Sequence, residues 1–418
     1  MFSKNTFRNT TKEGFMRRAN NSTSGFTLLE LLMSATIGLL VIGSAVSLFT
    51  QGLKATWVTS QKSEMQQDFR AAANLLQRDI SMAGAGALGQ QGLSYNAVGL
   101  PVSPTKPVYP CSTTTCNYVN GVPIAFPDPS GTPLLYSILP GPDLGITVNA
   151  ATGPTDVISI VIADVSLELN CYTVSVTTGT TANFGLPSPL PPTCVLPTGV
   201  LEPPSLIETT TNAAGLQAGD IILFGSNSAL GVVTNVVGGT APALCYTPPP
   251  SGTTIFTIPA GNCYTVTFAN ESGAAPDPGH INQPNTTVGV LGSYVNSTAL
   301  SAVRLLLITY YLDISTDGTS TPRLMRIQNG RTPAPVAENV VDLKFTYDVN
   351  NNGTVNANQS SLPLGTSPAM ITQVNIAHMT MRSQLPGTIG YQGLDLQTSI
   401  SARNLTSQQE YPISGSTF

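Results

Sequence analysis

The sequence predicts an α+β protein. One long N-terminal helix packs on an antiparallel β-sheet, and a large loop-rich β insertion lies between the helix and the C-terminal strands. Three observations predict this. An apolar run near the N-terminus continues into a stretch with helical periodicity that ends near residue 84. Beyond it, short β-branched runs alternate with loops rich in Pro, Gly, Ser and Thr. From residue 301 onward the runs lengthen and alternate with period two. The chain divides into a basic head (1–25), a membrane-length segment (26–49), an amphipathic continuation of the helix (50–84), a loop- and β-rich region (85–300) and a C-terminal antiparallel β region (301–418).

The head carries Lys4, Arg8, Lys12, Arg17 and Arg18 against one acid, Glu13. The remainder holds 12 of the 17 basic and 21 of the 22 acidic residues, a net charge of −9. A basic head before an apolar span predicts a cytoplasmic N-terminus and an exported body. The acidic remainder has no basic cluster, which argues against nucleic-acid binding. Only 9% of the 418 residues are charged, and 41% are apolar. That is the composition of an exported, loop-rich β protein with enough apolar surface to build a core.

Residues 31–49 carry no charge. With the preceding turn they are long enough for a hydrocarbon core of about 30 Å. No A-x-A-like cleavage site follows Phe49. The small residue stands instead before the run, at Gly25. Downstream, Leu53, Trp57, Met65, Phe69, Ala72, Leu76 and Ile80 recur at helical spacing and predict one apolar face. Gly84 and Gly86 are the expected stop. A helix over residues 26–83 would be roughly 85 Å long. Its first half is expected in lipid or in a bundle of helices, and its second half against the sheet.

All six cysteines lie beyond the span: Cys111, Cys116, Cys171, Cys194, Cys245 and Cys263. An even count in an exported segment predicts disulfides, and nearest neighbours are the expected partners among 15 possible pairings. Zinc is disfavoured, because there is no C-x-x-C and only two histidines, His280 and His378. Predicted strands begin at "DVISIVIA", "CYTVSV", "GDIILFG", "GVVTNVV" and "CYTVTF". They are followed by "AVRLLLITYYLD", "PRLMRIQ", "AENVVDLKFTYDVNNNG" and "ITQVNIAHMTMRSQ".

The stretch "SGFTLLELL" resembles the processing signature of type IV prepilins and type II secretion pseudopilins. The resemblance implies that residues 1–25 are a leader, that prepilin peptidase cuts between Gly25 and Phe26, and that Phe26 is then N-methylated. It implies that Glu30 pairs with the N-terminal amine of a neighbouring subunit during assembly. A glutamate that merely reaches the membrane interface is the plainer reading. Met16 opens a shorter leader of the usual kind, so the start is Met1 or Met16. The chain's two ends resemble the PilW group of minor pilins in particular. The residues are "QRDISMAG", "GDIILFG", Leu324 and Arg326, then Val340, Leu343, Tyr347, Asp348 and Gly353, and "SARNL" around Arg403. The implied function is that of a minor pilin that initiates or caps a type IV pilus. Its implied partners are other pilins and minor pilins, prepilin peptidase, the inner-membrane assembly platform and a tip adhesin. The implied location is the inner membrane, then the cell-surface pilus. A secretion pseudopilin and a membrane-anchored surface binding module are the alternatives.

Few residues suggest other chemistry. Asp348, Asn350 and Asn352 match the start of a calcium loop, but Gln359 stands where a bidentate Glu is required, so a plain turn is the stronger reading. No G-x-S-x-G, P-loop or H-E-x-x-H is present. No enzymatic activity and no cofactor are expected.

Overall fold

The computed structural model describes residues 25–85, 93–94, 134–190, 215–224, 229–239, 258–268, 291–295, 300–314, 321–363, 366–382 and 393–402, less a few single positions, with Cys194, Leu206 and Cys245. The chain is α+β, with one long apolar N-terminal helix and antiparallel sheets. It comprises two compact units, residues 1–60 and 61–418.

Helix α1 spans Leu28–Ser81. In the first unit its apolar window is wholly unburied and is long and apolar enough to cross a membrane. In the second unit Met65, Phe69, Ala72, Leu76 and Ile80 are buried at the predicted spacing. Leu53 and Trp57 were expected on the same sheet-facing stripe, but both are exposed. The helix ends as expected at Gly84, whose φ of 73° is a left-handed conformation that glycine adopts without penalty. The exit is then tied to a strand: Gly84 N–H donates to the Val161 carbonyl at 2.8 Å, and Ala163 N–H to that of Ala85 at 2.9 Å.

Among the described residues the first nine strands are β1 Leu93–Ser94, β2 Leu134–Leu135, β3 Ile138–Gly141, β4 Val157–Asp164, β5 Thr173–Thr178, β6 Thr181–Gly185, β7 Ile221–Phe224, β8 Ala229–Gly238 and β9 Cys263–Phe268. The remaining seven are β10 Ala302–Ile314, β11 Pro322–Gln328, β12 Ala334–Glu338, β13 Val340–Asn351, β14 Thr354–Gln359, β15 Ile371–Arg382 and β16 Gly393–Ser401. Every named pair of strands is antiparallel.

The large sheet has ten strands, ordered β12-β11-β10-β7-β8-β9-β6-β5, with β4 and β3 joined through β10. Strand β10 is its centre, pairing with β4 over residues 304–310, β7 over 302–305 and β11 over 308–314. The regions before and after residue 300 therefore share one sheet. Strands β14-β13-β15-β16 form a separate four-stranded sheet. The run of C-terminal strands expected to be successive neighbours is thus split between two sheets.

Two cores result. In one, the helix residues from Met65 to Ala83 pack with Ile158, Ile160, Tyr310, Leu312, Leu343, Phe345 and Tyr347, which come from both sheets. In the other, Val174, Phe184, Ile222, Phe224, Val266 and Phe268 pack together in the middle of the chain. Beside that second core run the disulfides Cys171–Cys194 and Cys245–Cys263. They are two of the three nearest-neighbour pairs. Cys111 and Cys116 lie outside the described residues.

Candidate functional site

The helix head is built by a reciprocal capping box. Thr27 precedes the first helical residue, and Glu30 lies three residues on. The Thr27 backbone N–H and its Oγ1–H each donate to Glu30 Oε2 at 3.1 Å. Glu30 N–H donates back to Thr27 Oγ1 at 3.3 Å. T-x-x-E is the sequence form of this box, and it satisfies N–H groups that a helix start leaves without partners. The helix dipole also favours a carboxylate at this end. Gly25, Phe26 and Glu30 are all exposed, and Phe26 is 81% accessible. The signature residues are thus brought together at one open helix end, with the carboxylate held by its own backbone. The sequence reading missed Thr27, although the spacing was there to be seen.

The second half of the helix carries a residue outside the apolar stripe. Asp79 has no exposed surface. Its Oδ2 accepts from Tyr310 Oη–H at 2.7 Å and from Arg326 Nε–H at 2.9 Å. Its Oδ1 accepts from Arg78 Nε and Nη2 at 3.0 and 2.9 Å. Tyr310 and Arg326 face each other across the β10–β11 register, so one helix carboxylate fastens both strands. Burial, with the Asp79 charge, pushes the Tyr310 hydroxyl far above its ordinary range. Asp79 and Arg326 belong to "QRDIS" and "PRLMR", two of the patterns noted in the sequence. Here each is the other's partner.

Two further buried carboxylates behave in the same way. Asp220, from "GDIILFG", accepts from both Arg331 Nη2 and Asn329 Nδ2 at 2.9 and 3.0 Å, and lies 3.4 Å from Arg304 Nη1. Arg304 also pairs with Asp164 on β4. Asp156 accepts from the N–H groups of Asp143 at 2.9 Å and Phe345 at 2.8 Å, and from Lys344 Nζ at 3.2 Å. Burial raises the Asp156 carboxyl above its ordinary value despite these donors. Lys344 is also raised: burial opposes its charge, but Asp143 and Asp156 outweigh it. These groups hold elements together, with each charge spent on a neighbour.

The calcium candidates are used by a hairpin. Asp348 Oδ1 accepts from Asn358 N–H at 2.8 Å and Asn375 Nδ2 at 2.9 Å. Asn350 Oδ1 caps the turn by accepting from Gly353 N–H at 2.9 Å. Asn352 lies outside the described residues. In this arrangement the side chains of Asp348 and Asn350 are engaged by the hairpin's own groups. Among the described residues no group of three or more His, Cys, Asp or Glu is placed to hold a metal ion. His378 is half exposed on β15, with Nδ1 3.2 Å from Asp395 Oδ2. His280 and Arg403 lie outside the described residues.

No protein-family model, no curated protein and no solved structure matches this chain.

Proposed function

We propose that this chain is a minor pilin of a type IV pilus. It is made as a bitopic precursor with a cytoplasmic leader and a periplasmic body. Prepilin peptidase cuts it after Gly25, Phe26 is N-methylated, and the helix carries it into a filament. It acts by assembly and not by chemical catalysis. Its partners are other pilins and minor pilins, the peptidase, the inner-membrane assembly platform and a tip adhesin, and its final location is the cell-surface pilus. A body of this size favours a place near the tip, where it initiates or caps assembly.

One observation carries the reading. The processing signature sits on an exposed helix head, followed by an apolar surface that is unburied throughout its window. That surface requires a cover. Lipid supplies it before assembly, and neighbouring helices supply it afterwards. A carboxylate within the bilayer costs about 2.5–3.5 kcal/mol at the helix centre, and less near the head. The capping box satisfies Glu30 locally but leaves Oε1 available. Cleavage creates an ammonium at Phe26, and the same group on a neighbouring subunit can pair with that oxygen. A misregistered subunit would leave both charges unpaired in a dry bundle, so the pair sets register.

The test is intact mass and N-terminal sequence of the protein from its own membranes and from sheared surface filaments. A chain starting at N-methyl-Phe26 in the filaments supports the reading. The same start in membranes alone favours a secretion pseudopilin, whose head motif is of the same kind. A chain that still carries its leader refutes the prepilin route. Glu30→Gln separates the two roles of that residue, since it keeps an acceptor for Thr27 but loses the charge. It should be inserted and cut normally, yet be depleted from filaments as strongly as Glu30→Ala. Normal incorporation of Glu30→Gln would reduce Glu30 to a helix cap.

A further inference from the structure

The face of α1 just beyond the apolar run has a composition that neither processing nor subunit pairing requires. Leu53 and Trp57 stand one turn apart and are 54% and 53% exposed. Lys54, exposed, lies beside them. No Asp or Glu occurs between Glu30 and Glu64, and the only charged residues in that interval are Lys54 and Lys62. Trp57 is the single tryptophan of the chain.

The lengths are informative. A hydrocarbon core of about 30 Å takes about 20 helical residues, and a bilayer with its headgroup layers is about 40–45 Å thick. From Leu28 to Trp57 the helix rises about 45 Å. With Glu30 at the inner boundary of the hydrocarbon, the outer boundary falls near Thr50. Leu53 and Lys54 then lie about 5–6 Å beyond it, inside the outer headgroup layer. The Trp57 backbone lies about 10 Å beyond, but helix side chains lean toward the N-terminus, which returns the indole toward the headgroups. An amphipathic indole beside a lysine is the pairing that the membrane interface favours. The absence of carboxylates suits a surface of phosphate-bearing lipids.

We propose that Leu53, Lys54 and Trp57 form a lipid anchor that seats the outer end of the span in the phospholipid headgroup layer. The anchor rests on the membrane-spanning reading of α1. It sets the depth at which the subunit waits, and extraction into a filament must break it. The occupant of this face is the phospholipid headgroup layer.

The single tryptophan makes the test direct. The full chain is reconstituted in vesicles of phosphatidylethanolamine and phosphatidylglycerol, and Trp57 emission is measured with lipids brominated near the headgroup or near the chain end. Emission should be blue-shifted relative to the urea-unfolded chain. Shallow bromines should quench it more than deep ones, and iodide should quench it several-fold less than in urea. Lys54→Glu should shift emission back to the red and restore iodide access. Retention of the chain in carbonate-washed vesicles, combined with emission and iodide access like those in urea, would overturn the anchor while leaving the span standing. Loss of the chain from washed vesicles would overturn both. A blue shift insensitive to bromine at every depth would place protein over the ring, and would also overturn the anchor.

Discussion

Replacing Asp79 with alanine should cost the folded body about 3–5 kcal/mol, the usual penalty for removing one partner of a buried ion pair. The figure can be built from the contacts. Tyr310 is fully buried, and its hydroxyl would lose an acceptor at 2.7 Å; a stranded buried donor costs about 1–3 kcal/mol. Arg326 is one-fifth exposed and would lose a charged partner at 2.9 Å; partial solvation reduces that loss to about 1–2 kcal/mol. Arg78 is 59% exposed, and water replaces most of its bond, so it contributes at most about 0.5 kcal/mol. The assay is urea unfolding of the full chain in mild detergent, followed by tyrosine near-ultraviolet circular dichroism. Asp79→Ala should lower the midpoint with little change in slope. Arg326→Met combined with Asp79→Ala should cost less than the sum of the two single changes, by about 1.5 kcal/mol or more. A loss under about 1 kcal/mol for Asp79→Ala, or strict additivity of the pair, would refute the view that this carboxylate fastens the helix to β10 and β11.

Other perturbations follow from neighbouring geometry. The Asp156 carboxyl is raised by burial above its ordinary value of 3.8, so the fold binds that proton more tightly than the unfolded chain does. Its contribution is complete below 3.8 and lost as pH rises through the folded value. Asp156→Asn should remove this downward slope from a stability–pH curve, and an unchanged slope would place its origin elsewhere. A Cβ at Gly231 would meet Phe268 Cδ1 at 2.6 Å in the second core. Gly231→Ala should therefore cost about 1–3 kcal/mol, read as a lowered thermal midpoint. Opening Cys171–Cys194, which joins residues 23 apart, with paired serines should cost roughly 3 kcal/mol in urea unfolding.

Local features were legible in the sequence and long-range ones were not. Helical periodicity and Gly84 located α1 and its end, because both act within a few residues. Most long strands were visible as β-branched runs, yet β3, β6, β14 and β16 went unread. In "GLDLQTSIS" the alternation of Leu394, Leu396, Thr398 and Ile400 was available, but polar residues between them masked it. The pairing of β10 with β4 and β7 is set by contacts at least 78 positions distant, from Ala302 to Phe224 at the nearest, which no window reveals. Asp79 stood out in the sequence only as part of "QRDISMAG", and helical periodicity, which scores an acid as solvent-facing, gave no sign that it is buried. Its burial becomes affordable only when Tyr310 and Arg326 converge on it from two strands. Leu53 and Trp57 failed as sheet contacts for a complementary reason: periodicity shows that a face is apolar, but not what covers it.

The central strand also dictates a timetable. Strand β4 ends at Asp164, and its partner β10 begins at Ala302. Made from the N-terminus, the chain presents α1 and β4 long before β10 exists to receive them. The Arg304–Asp164 bond spans 140 positions. The loops closed by the two disulfides need only 23 and 18. Short closures form early and cost little entropy, whereas distant pairings come late and dominate the barrier. The middle of the body can therefore mature while the helix base still lacks its seat. Until β10 arrives, an unpaired β4 edge and the apolar stripe from Met65 to Ile80 stand open together. In that interval a strand from another chain could take the place of β10, so one thirteen-residue strand closes both the sheet edge and the seat of the helix.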